Sequence, residues 1–236
     1  MIRKKPEKIN KTSFLDILKD IITPPLCAVC GNIEPALLCD QCLSGINRIG
    51  DNVCSYCGRP LPADEKSGVR CNFCRIDNFN FYRHRSFAVY SGGIKKIIKK
   101  YKYDRIYALK KIISIFFKKI YVKNYKYEKI DYLETVPGMH MEMICESLSG
   151  LIKIPFIGNI IRIKKILKQQ GLDFNQRKNN IRNAFKVRNC LVYSGKNILV
   201  IDDVWTTGST LTEISGVLKK AGAERVYLLT LARGLK

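Results

Sequence analysis

At 236 residues, with 46% hydrophobic and 26% charged side chains, the chain has the length for one large domain or a medium domain plus a small one, and the composition of a folded protein. No run approaches the roughly 18 uninterrupted apolar residues of a membrane-spanning helix. The net charge of +22 is unevenly placed: residues 81–129 hold 15 Lys/Arg against two Asp/Glu, whereas residues 1–80 hold 11 against nine. So dense an excess of one sign repels itself unless an anion compensates it, and nucleic acid or anionic membrane are the usual partners. Lysine-rich codon usage gives the same count without a function, and both readings stand.

In chain order, Arg3, Lys4, Lys5, Lys8 and Lys11 precede an amphipathic helix carried by Phe14, Leu15, Ile17, Leu18, Ile21 and Ile22, with Thr12 or Ser13 as its cap. Asp16, Lys19 and Asp20 interrupt the apolar run, which argues against a signal peptide. This segment, residues 1–22, either packs on its own protein or lies on a membrane surface.

Eight of the ten cysteines form four CxxC pairs, Cys27/Cys30, Cys39/Cys42, Cys54/Cys57 and Cys71/Cys74. Two thiolates on one tight turn face one ion, and a second turn completes a tetrahedral site; thiolates favour Zn2+ over Mg2+ or Ca2+. Gly31 and Gly58 follow the second cysteine of their pairs, where such turns need a residue that tolerates positive φ. An iron–sulfur cluster is the alternative occupant. Sequential ribbons and an interleaved cross-brace both satisfy the spacing. Two structural zinc sites over residues 23–78 are expected, because so short a stretch with few large apolar groups needs a metal to fold. Cys145 and Cys190 stand alone and read as buried core thiols; His84 and His140 lack ligand spacing and read as ordinary packing or surface residues, so no acid–base catalyst is evident.

From residue 81 a single α/β domain is predicted, running to 236. Residues 87–90 read as a strand broken by Gly92 and Gly93. A helix follows, with Ile94, Ile97, Ile98 and Tyr101 on one face and Lys95, Lys96, Lys99 and Lys100 on the other, and Lys102 just beyond. Ile106, Leu109, Ile112, Ile113, Phe116, Phe117 and Ile120 mark a second helix, with Lys110, Lys111, Lys118 and Lys119 on its polar side. Together the two helices would form one basic surface. Tyr101, Tyr103, Tyr107, Tyr121, Tyr125 and Tyr127 lie among these lysines; they either pack on the fold or stack unpaired bases while the lysines take phosphates. Strands over 130–136, 157–163, 197–202 and 225–231 alternate with helices over 139–152 and 210–221, which predicts a parallel α/β sheet.

The segment Ile198–Thr210, ILVIDDVWTTGST, runs from a buried strand through two acids into a turn and a helix. Ligands of such sheets sit at the carboxyl ends of the strands. Thr206, Thr207, Gly208, Ser209 and Thr210 offer hydroxyls, backbone amides and close approach at a helix start, a cradle for a monophosphate. Asp202 and Asp203 are placed to accept hydrogen bonds from sugar hydroxyls and to hold Mg2+ through water.

This motif resembles the signature of type I phosphoribosyltransferases. With the zinc-ribbon module in front, the chain resembles the ComF family of competence proteins. That likeness runs through the four CxxC pairs, Tyr90–Ser91–Gly92, Lys102–Tyr103, Val136–Pro137, Gln170–Gly171–Leu172, Arg177, Asn180, Ala184–Phe185, the Asp202–Thr210 motif and Leu231–Ala232–Arg233. The resemblance implies a bacterial cytoplasmic protein, with the inner face of the membrane as the surface residues 1–22 would meet. It implies handling of incoming single-stranded DNA, a phosphoribosyl pyrophosphate (PRPP) ligand with Mg2+, and a diphosphate turn at Pro137, Gly138 and Met139. The turn itself holds no cation, and Arg162, Lys164, Lys165 or Arg177 would have to supply one. One departure stands out. The family's basic loop after the Val-Pro strand is missing, and that region closes over the site in phosphoribosyltransferases. Two further readings accompany the first: an active Mg2+-dependent transferase with an unknown acceptor, and a zinc-ribbon adaptor for a DNA translocase or helicase.

Overall fold

The computed structural model describes residues 25–65, 68–76, 79–164 and 181–235. The expected helix at 13–22, and the motif residues Lys165, Gln170–Gly171–Leu172, Arg177 and Asn180, lie outside them. Two short helices, α1 (Asp40–Ser44) and α2 (Asn72–Ile76), belong to the cysteine-rich module. The remainder runs β1 (Arg83–Val89), α3 (Gly92–Lys102), α4 (Leu109–Asn124), β2 (Tyr132–Thr135), α5 (Met139–Ile152), β3 (Ile160–Arg162), β4 (Phe185–Val187), β5 (Asn197–Trp205), α6 (Ser209–Lys220) and β6 (Arg225–Arg233). No helix among the described residues is long and apolar enough to cross a membrane.

The main sheet has the order β1-β6-β5-β2, and its three pairings are all parallel. Strands β5 and β6 are central and therefore apolar on both faces. Side chains alternate across the pleat: Leu199 and Ile201 join the core formed with α3, α4 and α5, while Ile198 and Val200 join the core formed with α6. The predicted stripe of α3, Ile94, Ile97, Ile98 and Tyr101, is buried, as are Leu109, Ile113, Phe116, Phe117 and Ile120 of α4.

Strand β1 starts four residues earlier than its apolar run predicts. Its first half, Arg83–Ser86, is polar yet paired: Thr230 Oγ1 lies 2.9 Å from His84 Nε2 and 2.7 Å from Ser86 Oγ, so these side chains satisfy one another inside the sheet. The strand expected over 157–163 is corrected in placement. Phe156 makes one parallel bridge to Leu133, Gly158 and Asn159 turn the chain, and β3 then pairs antiparallel with β4, away from the main sheet. Asn159 secures the turn by donating its backbone amide to Glu134 and its side-chain amide to the Asn189 carbonyl.

The cysteine-rich module covers the free edge of β1. The linker between its halves pairs antiparallel there: Ile49 donates to the Phe87 carbonyl at 3.0 Å and Val89 to the Asn47 carbonyl at 2.9 Å. Further along, His84 donates to the Tyr56 carbonyl at 2.9 Å. A Cβ at Gly58 would sit 2.7 Å from the His84 carbonyl oxygen, and φ there is +66°, so this approach requires glycine.

Candidate functional site

The carboxyl end of the sheet opens into a cleft of about 1070 Å³. β5 reaches it through Asp202 and Asp203 and ends at Trp205, and α6 starts at Ser209. Between them Gly208 takes φ +79°, and a Cβ there would overlap the Trp205 ring. The indole is itself fixed: His84 stacks on it at 4.3 Å, Phe81 meets it edge-on at 5.6 Å, and the Arg233 guanidinium lies 5.3 Å from its centroid. It forms a closed floor under the loop. Above it the hydroxyls of Thr207 and Ser209 lie 2.9 Å apart. Gly208, at the N-cap, has no side chain to cap α6; the Ser209 amide donates weakly to Thr207 Oγ1 at 3.4 Å, and the positive dipole of the first turn faces the cleft. Thr206, Thr207, Gly208, Ser209 and Thr210 all line this one space, with Asp202 and Asp203 beside them.

The acids do not stand as bare carboxylates. Lys102 Nζ lies 2.7 Å from Asp203 Oδ2. Burial pulls Lys102 down, but Asp203 and Asp202 outweigh it and hold the ammonium above its ordinary value. Asp202 accepts from the Asp203 amide at 2.8 Å, and burial with the adjacent Asp203 charge pushes it up to about 8. Oxygen ligands suit Mg2+, yet Asp203 already has a cationic partner, and the pair as placed is not an open two-carboxylate site for that ion. Lys102, read from sequence as part of the basic surface, thus belongs to the ligand cleft.

His140 was also read as an ordinary residue. Its Nε2 sits 4.0 Å from Asp203 Oδ2, at the start of α5. Burial and the Lys102 charge lower its basicity, so the ring is neutral at physiological pH. Nothing in its sequence neighbourhood beyond the preceding Val136–Pro137 signals this; α5 and the end of α3 must first be packed together, as the 2.7 Å bond from Tyr101 Oη to the His140 carbonyl shows.

The turn Pro137, Gly138, Met139 is closed to an anion on one side. The Gly138 amide donates to Glu142 Oε1 at 3.1 Å, a helix-start carboxylate that already uses the donor. Arg162 reaches the turn from the other side, donating to the Pro137 carbonyl at 3.2 Å, and its side chain lines the cleft. Among the described residues, it is the cation of the sequence-derived set that the structure brings there.

The basic residues divide between two hollows. Lys96, Lys99 and Lys100 of α3 line the large cleft, and Lys95 lies 5.8 Å from the Tyr90 ring. On α4, Lys111 and Lys118 are exposed and Lys110 half-buried. Lys119 lines a second hollow of about 310 Å³ with Arg48, Arg85 and Lys123, where Lys123 pairs with Asp51. Tyr101 and Tyr125 are core residues, whereas Tyr103 and Tyr127 stand exposed. Cys145 is buried as expected. Cys190 is exposed, because it enters a surface 3-10 turn rather than a strand or helix face.

The cysteines gather as two quartets, Cys27, Cys30, Cys39, Cys42 and Cys54, Cys57, Cys71, Cys74, each with its sulfurs within 4.8 Å of one another. This is the sequential pairing. A tetrahedral Zn2+ with bonds of about 2.3 Å sets sulfurs roughly 3.8 Å apart, and Cys27–Cys42 lie 3.8 Å apart, Cys30–Cys39 3.6 Å and Cys57–Cys71 3.8 Å. Backbone amides of Cys39, Cys42, Cys57 and Cys71 point at sulfur, as thiolates require. The residues fit two structural zinc ions. The second quartet touches the cleft's floor through Arg233, which donates to the Cys57 carbonyl at 2.5 Å and to Cys57 Sγ at 3.5 Å while lying over Trp205.

Two measurements test this geometry. Trp205 is the single tryptophan; stripping zinc with a chelator is expected to shift its emission to longer wavelength, and emission unmoved by zinc release would contradict the link. Asp202, with an ordinary carboxylate pKa of about 4 when unfolded and about 8 when folded, gives the native state an extra proton between those values. Stability therefore falls as pH rises through that window. Asp202→Asn removes this cost, and its melting-temperature advantage is expected to grow by about 5 °C from pH 6 to pH 8 in the zinc-loaded protein; a pH-independent difference would refute the assignment.

Comparison with known proteins agrees with this architecture. The chain matches the double zinc ribbon domain family over residues 18–75 and the phosphoribosyl transferase domain family over residues 147–236. Competence protein F of Haemophilus influenzae is 38% identical over 96 residues, 39% of this chain and 41% of that protein. Competence protein ComFC of Streptococcus pneumoniae is 23% identical over 85% of this chain and 89% of its own length, and DNA utilization protein YhgH of Escherichia coli is 26% identical over 91% and 100%. Among solved structures, an adenine phosphoribosyltransferase superposes with a TM-score of 0.40 at 15% identity, covering 56% of this chain and 74% of that one. The chain is a double zinc ribbon docked on a phosphoribosyltransferase-like α/β domain, and its homologues are the proteins named competence protein F, ComFC and YhgH.

Proposed function

We propose that this protein handles single-stranded DNA in the manner its homologues' names suggest, and that it does so at a cleft with a phosphoribosyl-type ligand site. The observation that carries the reading is that the phosphate-type loop Thr206–Thr210 and the lysines of α3 line one space rather than two. Lys96, Lys99 and Arg162 have no acidic partner among the described residues, so they are available to phosphates. Exposed Tyr103 borders the same cleft and offers a face for an unpaired base. PRPP fits the loop through its ribose 5-phosphate, with Lys102 already supplying positive charge beside Asp203. Contacts by the zinc ribbons with a DNA translocase or helicase, and by residues 1–22 with the membrane, remain further proposals of the same reading.

Three phosphate contacts on a single strand release counterions with a salt slope of about −2. Affinity for a labelled oligonucleotide is thus expected to fall roughly twenty-fold between 50 and 200 mM salt. The Lys96→Gln, Lys99→Gln pair is expected to cut the slope to about −0.7. Affinity that ignores salt sinks the proposal.

A second reading, transfer of the ribosyl group from PRPP with loss of pyrophosphate, draws on neutral His140 beside Asp203, a pairing that suits proton transfer at physiological pH. It predicts pyrophosphate release that His140→Gln slows at least ten-fold; absence of release with every nucleobase tried counts against turnover.

A further inference from the structure

The charges around the cleft leave an uneven remainder. Lys100 pairs with Asp104 at 2.9 Å and Lys102 with Asp203 at 2.7 Å. Lys96, Lys99 and Arg162 are left without an acid among the described residues, all three on the wall of the space that the Thr206–Thr210 loop enters. Lys96 and Lys99 lie one helical turn apart on one side of α3. At about 1070 Å³ the cleft is at the upper limit for small-ligand sites and has room beyond a single ribosyl phosphate.

The loop is a dead end. Gly208 is buried against the indole of Trp205, which is 4% exposed and clamped by His84, Phe81 and Arg233. A phosphate seated over Gly208 meets the Thr207 and Ser209 hydroxyls and the positive end of α6 on one side and a closed aromatic floor behind. A phosphodiester inside a strand has chain leaving on both sides and brings a single negative charge, so it matches a loop closed on one side less well. A terminal phosphomonoester has chain on one side only, and brings a second negative charge and three acceptor oxygens to the helix start.

We propose that the cleft seats the 5′-phosphorylated end of a single DNA strand, with the terminal phosphate in the Thr206–Thr210 loop, the next phosphates on Lys96 and Lys99, and a base against Tyr103. This rests on the single-strand reading above and specifies its polarity. The ribose 5-phosphate of PRPP and the 5′-terminal nucleotide of a strand share the group that the loop recognises, so they exclude one another. The step is binding alone, and no bond is made or broken.

The test uses the full zinc-loaded chain and three oligothymidylates of equal length: one with a 5′-phosphate, one with a 5′-hydroxyl, and one with a 3′-phosphate. Fluorescence anisotropy is expected to show the 5′-phosphorylated strand binding about ten-fold tighter than the other two. Ribose 5-phosphate is expected to compete with that strand and to erase its advantage. The Thr207→Ala, Ser209→Ala pair, checked for unchanged zinc content and circular dichroism, is expected to bring the ratio to about one. Equal affinities for the 5′-phosphate and 5′-hydroxyl strands overturn end recognition while leaving the single-strand reading intact. Equal gains from 5′- and 3′-phosphates overturn it too, because added charge then explains the effect. No binding of any strand defeats both readings.

Discussion

The structure depends on the docking of the metal module against the open edge of β1. A parallel sheet is stable when its faces are covered, and an unpaired edge strand invites association with other chains. Here the linker at 47–49 supplies the missing backbone partners, and the second cysteine quartet brings Cys57 against the far end of β6. Arg233 shows what would be lost without it. The residue is 3% exposed, and its guanidinium finds the Cys57 carbonyl and sulfur as acceptors. A zinc site of four thiolates is net negative, so a metal-loaded ribbon would compensate the buried arginine. Metal binding, sheet completion and burial of Arg233 are therefore expected to support one another, since a small metal domain does not fold alone.

That event reaches the ligand cleft through Trp205. The indole packs between His84 and Arg233 on the ribbon side and Gly208 on the cleft side. The phosphate-type loop takes its shape from a ring that the ribbon holds in place. The two domains, distinct in composition and in the families they match, thus share one wall. The remaining electrostatics follow from burial. Two acids at the end of β5 would repel a phosphate; Lys102 neutralises one of them, and a proton the other.

How much of this was legible in the chain varies with the kind of interaction. The strand–acid–turn–helix run of β5 and α6 is local, and its pattern of apolar residues, acids and hydroxyls carries its own geometry. The cysteine quartets are nearly so, since CxxC turns fix their own shape, although only the fold chooses the sequential pairing. α5 is found within its expected bounds of 139–152 because Pro137–Gly138 and Ile152 bracket a clean helical period. What stayed hidden rests on contacts distant in sequence. The polar first half of β1 is a strand because Thr230, 146 residues away from His84, satisfies it. Lys102 resembles its lysine neighbours until Asp203, 101 residues on, is brought to its ammonium. His140 gains meaning only when α5 packs beside the end of α3. The pair β3–β4 is short and held by Asn159 and Glu134, with too few apolar residues to announce itself.

The open side of the cleft bears on what it is suited to hold. Enzymes that expose an anomeric carbon to attack close a loop over it to keep water out. In this chain Val136–Pro137 passes through Gly138 directly into α5, and Glu142 ties down the one amide that a diphosphate would seek there. Among the described residues, the result is an entrance with the phosphate-type loop as a recess at one end and cations without acidic partners along one wall. A long polyanion gains from it directly, because only its terminus needs the recess while the rest of its charge is met outside.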